Sequence, residues 1–279
     1  MKRVFARTTA SPPEDFRSQI ERRSARAAPD PLQACRRLVW LYFWLLIFEG
    51  ALRKWVAPSL SAPLLVVRDP VVIALYFQAM RRGVFPKGSY VEVFTSLSVF
   101  GVFIGLAQFA IGQVPLTVLA YGWRTNFMFI PMIFVIPKVM DGRETLKLGK
   151  WVLIVSIPMA LLMAYQFGSS PDAFVNRVAG VAEGRQLESA LGKIRPPGTF
   201  SFITGAVSFY SLTTAFLCYG IAKKGTFPYP LLFSAVMATG LAAGVSGSRS
   251  LVLGIVLVLA ALVLAFIASG KFAAGTIRF

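Results

Sequence analysis

The chain has 279 residues and a mass of 30.5 kDa, with 56% apolar residues, 15% charged residues and a mean hydropathy of +0.66. An average soluble domain has roughly 25% charged residues, so a water-soluble globular protein is excluded. The 29 basic residues outnumber the 12 acidic ones to give a net charge of +17, but they sit in short clusters between long apolar runs, which points to a lipid bilayer and not to nucleic acid.

With no histidine in the chain, a His-based triad and a His-ligated zinc site are both excluded. Cys35 and Cys218 lie far apart in no CxxC pattern and read as small apolar fillers.

In chain order, residues 1–37 hold nine basic and four acidic side chains among Ala, Ser and Pro, too polar to bury a core, and are expected to form a flexible basic cytoplasmic tail. The first apolar run follows Arg36 and Arg37 with no small-residue cleavage site behind it, and so reads as an uncleaved anchor helix. About 20 apolar residues cover the roughly 30 Å hydrocarbon slab. Eight runs approach that length: 38–55, 64–80, 90–112, 125–140, 150–167, 199–222, 228–245 and 251–269. The expected fold is all-α, a polytopic transmembrane helical bundle over 38–270 with a short cytoplasmic end at 271–279. The first run carries Glu49 and Arg53, and the fourth is short and interrupted by Pro131 and Pro137, so either would tilt, kink or re-enter. Gly101-xxx-Gly105 and Gly240-xxx-Gly244 fit the small-residue spacing for close helix packing.

Lys and Arg are retained on the cytoplasmic side. With the tail inside, 20 of the 29 basic residues fall on that side and nine outside, which gives both termini as cytoplasmic. Trp55 and Trp123 then mark the outer interface, Trp40 and Trp151 the inner one. No internal repeat of fixed period is visible. The longest connection, 168–198, falls outside, and within it Leu187, Ala190, Leu191 and Ile194 follow an i, i+3, i+4, i+7 spacing that predicts a short amphipathic surface helix. Arg195-Pro196-Pro197-Gly198 stops that helix.

The basic residues stranded outside run against the topology bias. Every even-numbered span would enter the membrane from outside, so its helix N-terminus, with free amides and the positive dipole end, faces the exterior. Arg124 precedes the fourth span, Arg195 the sixth, and Arg249 opens the eighth behind Ser246 and Ser248. Converging, the three would form a site for a phosphate or diphosphate, whose oxygens a guanidinium fork binds in pairs. The alternative is that each arginine snorkels to lipid headgroups while Ser and Thr merely cap helices.

A second cluster joins Glu49 and Arg53, spaced i, i+4, to Arg68 and Asp69. An ionisable residue within a span costs roughly 2.5–3.5 kcal/mol, so these four should face the bundle and pair, as a structural lock or around a catalytic carboxylate. Outer-face acids are few, namely Glu49, Asp69, Asp172, Glu183 and Glu188, and no spacing singles one out as a general base. No Walker loop, dinucleotide fingerprint, zinc spacing or metal-binding acidic pair is present, so neither cofactor nor metal is expected.

The segments 48–55 (FEGALRKW), 64–70 (LLVVRDP), 195–205 (RPPGTFSFITG) and 246–249 (SGSR) resemble the O-antigen polymerase and ligase superfamily of bacterial envelope glycosyltransferases, over roughly residues 37–270. The resemblance implies a multi-pass protein of the inner membrane whose periplasmic loops bind saccharides carried on undecaprenyl diphosphate, alongside other polysaccharide assembly proteins. A hydroxyl of the acceptor sugar would displace the diphosphate lipid, with no nucleotide sugar and no essential metal. Arg195 and Arg249 would take the catalytic role of holding the departing diphosphate, with Arg124, Arg185, Thr199, Ser246 and Ser248 as further substrate contacts. Superfamily members continue through further spans and a second large periplasmic loop, where the ligase branch carries a histidine. A chain ending at Phe279 with no histidine is therefore expected to be a truncated member, closer to the polymerase branch.

Two other classes fit the composition. One is a transporter or flippase for a lipid-linked or anionic glycan, which would place charges and broken helices near the midplane in repeated halves. The other is a non-catalytic membrane subunit or fragment.

Overall fold

The computed structural model describes residues 30–180, 186–188 and 192–268. Among these the chain is helical, with a single isolated antiparallel bridge. Helix α1 (Gln33–Ala51) sets Cys35, Val39, Phe43 and Ile47 on one buried stripe at four-residue spacing. It starts within the stretch expected to be tail, because Arg36 is held by partners on other elements. Its Nε donates to the Val139 carbonyl at 2.9 Å, and its guanidinium pairs with Asp141 at 3.4 Å and with Asp30.

A π-helical turn (Leu52–Val56), a 3-10 turn (Pro58–Leu60) and short α2 (Ser61–Leu65) carry the chain to α3 (Asp69–Arg81). Helix α4 (Ser89–Ala110) and α5 (Leu116–Trp123) follow, then a π-helical turn (Arg124–Met128), α6 (Met132–Val139) and α7 (Gly142–Gly168). A long connection leads to α8 (Ile203–Ala222), α9 (Tyr229–Val245) and α10 (Arg249–Ala268). Helix covers part of each of the eight apolar runs, and six stretches are long and apolar enough to cross a membrane: Pro58–Arg81, Ser89–Ala110, Leu116–Val139, Gly142–Gly168, Ile203–Ala222 and Arg249–Ala268. Helix α1, with Arg36, Arg37 and Glu49 among its 19 residues, is not in that set, and α9 has only 17 residues. The fourth run starts earlier than the hydropathy suggests, at Leu116, and is broken ahead of Pro131, whose ring cannot continue the helical ladder.

Helix α1 stands between two buried clusters. On one side Phe43 and Ile47 pack with Val152 and Met159 of α7, Phe209 and Tyr210 of α8, Ala242 of α9 and Leu251 of α10. On the other, Cys35 and Val39 pack with Val72 and Leu75 of α3 and Val135 and Val139 of α6. Helix α4 belongs to neither and has no buried residue. It rests on the α5 hairpin through Gly101 and Gly105, where an added Cβ would lie 3.0 Å from the Phe127 ring and 2.8 Å from the Leu119 side chain. Gly240 and Gly244 on α9, with the same spacing, meet nothing within 4 Å, so this stripe packs against no other part of the described chain.

The short helix predicted around residues 187–194 is not seen where the chain is described. Glu188 bridges to Ile194, and the Arg195 amide donates to the Leu187 carbonyl at 2.7 Å. Residues 189–191 lie outside the described residues. Backbone pairing across this segment satisfies polar groups that an isolated helix of that length would leave frayed.

Candidate functional site

The site is built where α1 ends. Glu49 is 5% exposed, accepts a hydrogen bond from Arg53 one turn on at 3.3 Å, and forms an ion pair with Arg68 at 2.5 Å on its other oxygen. Arg53 also donates to α2 and to a distant segment. Its Nε reaches the Ser61 carbonyl at 3.0 Å and Ser61 Oγ at 3.1 Å, and its Nη1 donates to Ser201 Oγ at 3.1 Å. A buried carboxylate persists in this setting because each of its oxygens has a cation beside it.

Asp69 opens α3 just before Pro70, where a carboxylate favours the dipole and the proline lacks only an amide that would be unsatisfied anyway. Arg124 grips Asp69 with both prongs, Nη2 to Oδ1 at 2.8 Å and Nε to Oδ2, and Nη2 also donates to the Leu65 carbonyl at 2.7 Å. The guanidinium carbons of Arg68 and Arg124 each lie 5.6 Å from the centre of the Phe129 ring. An unbroken series of contacts therefore runs from Arg124 through Asp69 and its neighbour Arg68 to Glu49, Arg53 and Ser201.

Segment 195–203 is latched onto this end by polar contacts across great sequence distance. Lys54, 1% exposed, donates its ammonium to the Gly198 carbonyl at 2.7 Å and the Phe200 carbonyl at 2.8 Å. Thr199 Oγ1 donates to the Ile47 carbonyl at 2.7 Å. From α7, Gln166 accepts the Gly198 amide at 2.8 Å and donates to the carbonyls of Gly198 at 3.2 Å and Val175 at 3.1 Å, while Asn176 donates to the Gln166 carbonyl at 3.1 Å. Two glycines make the approach possible. A Cβ on Gly50 would fall 2.6 Å from the Phe200 carbonyl carbon, with Thr199 and Ser201 backbone closer still. Gly198 has φ +64°, the left-handed region that favours glycine, and a Cβ there would sit 2.5 Å from Met159 Sδ.

The residues singled out in the sequence fall into three groups. Glu49, Arg53, Arg68, Asp69 and Arg124 form the ion-pair network, so the fork of Arg124 is already occupied by protein. Arg195 is half-buried on the latched segment, and its Nε has no hydrogen-bond partner among the described residues; the indole N–H of Trp55, next to Lys54, also lacks one. Thr199 is spent on α1. Arg249 is exposed at the first position of α10, while Ser246 and Ser248 are buried and turn the α9–α10 corner, Ser246 Oγ donating to the Ala243 carbonyl at 3.0 Å and accepting the Ser248 amide at 3.2 Å. Leu251, two residues beyond Arg249, packs in the same cluster as Ile47, Phe200 and Ile203. Arg185 lies outside the described residues.

Lys54, Gly50, Gln166 and Asn176 carry the latch, and no role was legible for them in the sequence. The available signals were a lysine at the end of an apolar run and a glutamine near the end of another.

Charge is out of balance here. Arg53, Arg68 and Arg124 share two carboxylates, Glu49 and Asp69, while Lys54, whose ammonium is pushed down to about 7 by burial, has no carboxylate within salt-bridge distance among the described residues. Arg195 adds a further cation on the segment that Lys54 latches at Gly198. Such an excess in a partly dry setting favours an anion strongly, because the low dielectric magnifies each interaction. No protein-family model, no curated protein and no solved structure matches the chain.

Proposed function

We propose that this end of the bundle binds the diphosphate of a polyprenyl-linked saccharide and that the protein is a metal-independent glycosyltransferase of the envelope-polysaccharide polymerising kind. In this reading the chain crosses the bacterial inner membrane eight times, both termini are cytoplasmic, and the Lys54 latch lies at the periplasmic face. The observation that carries the proposal is the cation excess around α1, with Arg195 Nε left without an acceptor among the described residues.

The chemistry follows from charge. As the acceptor hydroxyl attacks the anomeric carbon, its proton passes to solvent, the bond from that carbon to the diphosphate oxygen breaks, and negative charge grows on the leaving diphosphate. Cations already fixed beside that oxygen stabilise the transition state more than the ground state, which lowers the barrier. Arg195, held at the latched turn, and Arg249, at the start of α10, are assigned to this role. Arg124 belongs to the scaffold, since Asp69 occupies its fork. Glu49 and Asp69 are likewise taken up by arginines.

Membranes containing the protein should lengthen a lipid-diphosphate-linked oligosaccharide with no nucleotide sugar added. Arg195→Ala and Arg249→Ala should each reduce that activity by at least about 100-fold, the scale seen when a single oxyanion-stabilising donor is removed, with protein levels in the membrane unchanged. Full-length polymer from both variants would refute the assignment. Movement of lipid-linked substrate across vesicles with no new glycosidic bond would identify a flippase instead.

A further inference from the structure

The end of the bundle away from the latch holds a second candidate. Gln166 ties one end of α7 to the latch, and the other end begins at Gly142, beside Arg36 and Asp141. There a cleft of about 700 Å³ opens between the start of α7 and the end of α8. Its α8 wall is one stripe, Leu212, Ala215, Phe216 and Tyr219, ending at Lys223 and following the spacing that keeps residues on one helix face. From Leu212 to Lys223 the helix rises roughly 16 Å, about half of the 30 Å hydrocarbon slab. The cleft thus has the depth of a single leaflet, with apolar walls and a polar mouth.

The mouth carries two cations. Neither Arg143 nor Lys223 has a carboxylate within salt-bridge distance among the described residues, and Lys223 sits 5.9 Å over the Tyr219 ring. The one acid lining the cleft, Asp141, accepts the Glu144 amide of the helix it caps at 2.8 Å and pairs with Arg36 of α1 at 3.4 Å. A Cβ on Gly142 would meet nothing within 4 Å, so the backbone at the positive end of α7 is open to the cleft.

We propose that this cleft binds an anionic phospholipid, its phosphate between Arg143 and Lys223 over the first turn of α7 and one acyl chain along Leu212, Ala215 and Phe216. A soluble phosphate would match the mouth but leave the walls bare, whereas a lipid matches both. Basic mouths between membrane helices are established chemistry for lipid headgroups. The proposal does not depend on the glycosyltransferase reading.

The test is native mass spectrometry of the full chain released from bilayers of mixed phosphatidylglycerol and phosphatidylcholine. The wild type should retain phosphatidylglycerol in preference. R143Q/K223Q should retain it about 25-fold less, since each cation near the membrane surface contributes about a fivefold preference. K147Q/K224Q, which removes the same charge at two positions that do not line the cleft, should behave as wild type. Equal retention by R143Q/K223Q, equal loss in K147Q/K224Q, or no preference in the wild type would each overturn the proposal. Should R143Q/K223Q fail to fold, Ala215→Trp keeps the charges and fills the apolar slot, and undiminished phosphatidylglycerol retention by that variant would also overturn it.

Discussion

The end of α1 and the α4 helix are both placed in long apolar sequence, yet they are held in opposite ways. Around α1, Glu49, Arg53 and Lys54 are buried and bonded to partners on α2, on the segment before α8 and on the loop before α3. On α4, Tyr90 is 83% exposed and Phe103 66%, and the helix meets the α5 hairpin through Gly101, Gly105, the Phe94 ring against Phe127 and Ser98, which accepts from the Trp123 indole. In a bilayer an apolar side chain gains little by moving from lipid to protein, whereas an unpaired charge or backbone group gains a great deal. The polar contacts, and not the apolar area, therefore fix which parts of this chain stay together.

That contrast can be broken by substitution, and the largest effect should come from Glu49. Glu49→Gln leaves Arg53 and Arg68 without their shared carboxylate and should cost about 3–5 kcal/mol, the penalty for orphaning a buried charge. Phe103→Ala, which removes far more apolar surface, should shift stability by only about 0.5 kcal/mol, as at an ordinary surface position. Thermal unfolding of the two variants in one detergent makes the comparison, and equal losses would contradict it.

Two glycine substitutions sharpen it further. Gly50→Ala drives a methyl group into the backbone of residues 199–201 and should destabilise by about 1–3 kcal/mol. Gly240→Ala meets open space and should be neutral or stabilising by up to about 1 kcal/mol through helix propensity. Lys54→Met, which keeps the length of the side chain, removes the donor to Phe200 and should cost about 1–3 kcal/mol. Its signature is faster amide exchange at Gly198 and Phe200 with α4 unchanged.

The smallest expected effect lies at the other end. The Asp141 carboxyl is held below its ordinary value of 3.8, chiefly because it accepts the Glu144 amide, with Arg36 and Arg143 adding to the shift. A depressed value in the folded state gives a contribution that is complete above the ordinary range and lost as pH falls through the lowered one. The exchange protection factor at the first turn of α7 should therefore be flat from neutral pH to about pH 5 and fall only in stronger acid. Asp141→Ala should abolish that dependence.

Helix positions were legible because hydropathy and proline act locally. Pro131 marks the break in the fourth run, and the buried stripe of α1 follows four-residue spacing. Partner choice was not. Arg68 adjoins Asp69 in sequence but pairs with Glu49, and Asp69 turns to Arg124, because an arginine in the turn before α3 and an aspartate at the first turn of α3 point in different directions. The latch joins Lys54 to Gly198 across 144 positions, and no periodicity carries information over that distance. Nor could hydropathy foretell that α4 lies bare while α7 is packed, since lipid and protein interior are alike to an apolar side chain.

The central claim is that the cations gathered at the end of α1 and on the segment latched to it hold a diphosphate. Its most direct test is the melting temperature of the purified protein with undecaprenyl diphosphate and with undecaprenol. The diphosphate should raise the melting temperature of the wild type and leave that of Arg195→Ala unmoved, while undecaprenol moves neither. Equal stabilisation by the two lipids, or an undiminished rise in Arg195→Ala, would contradict it.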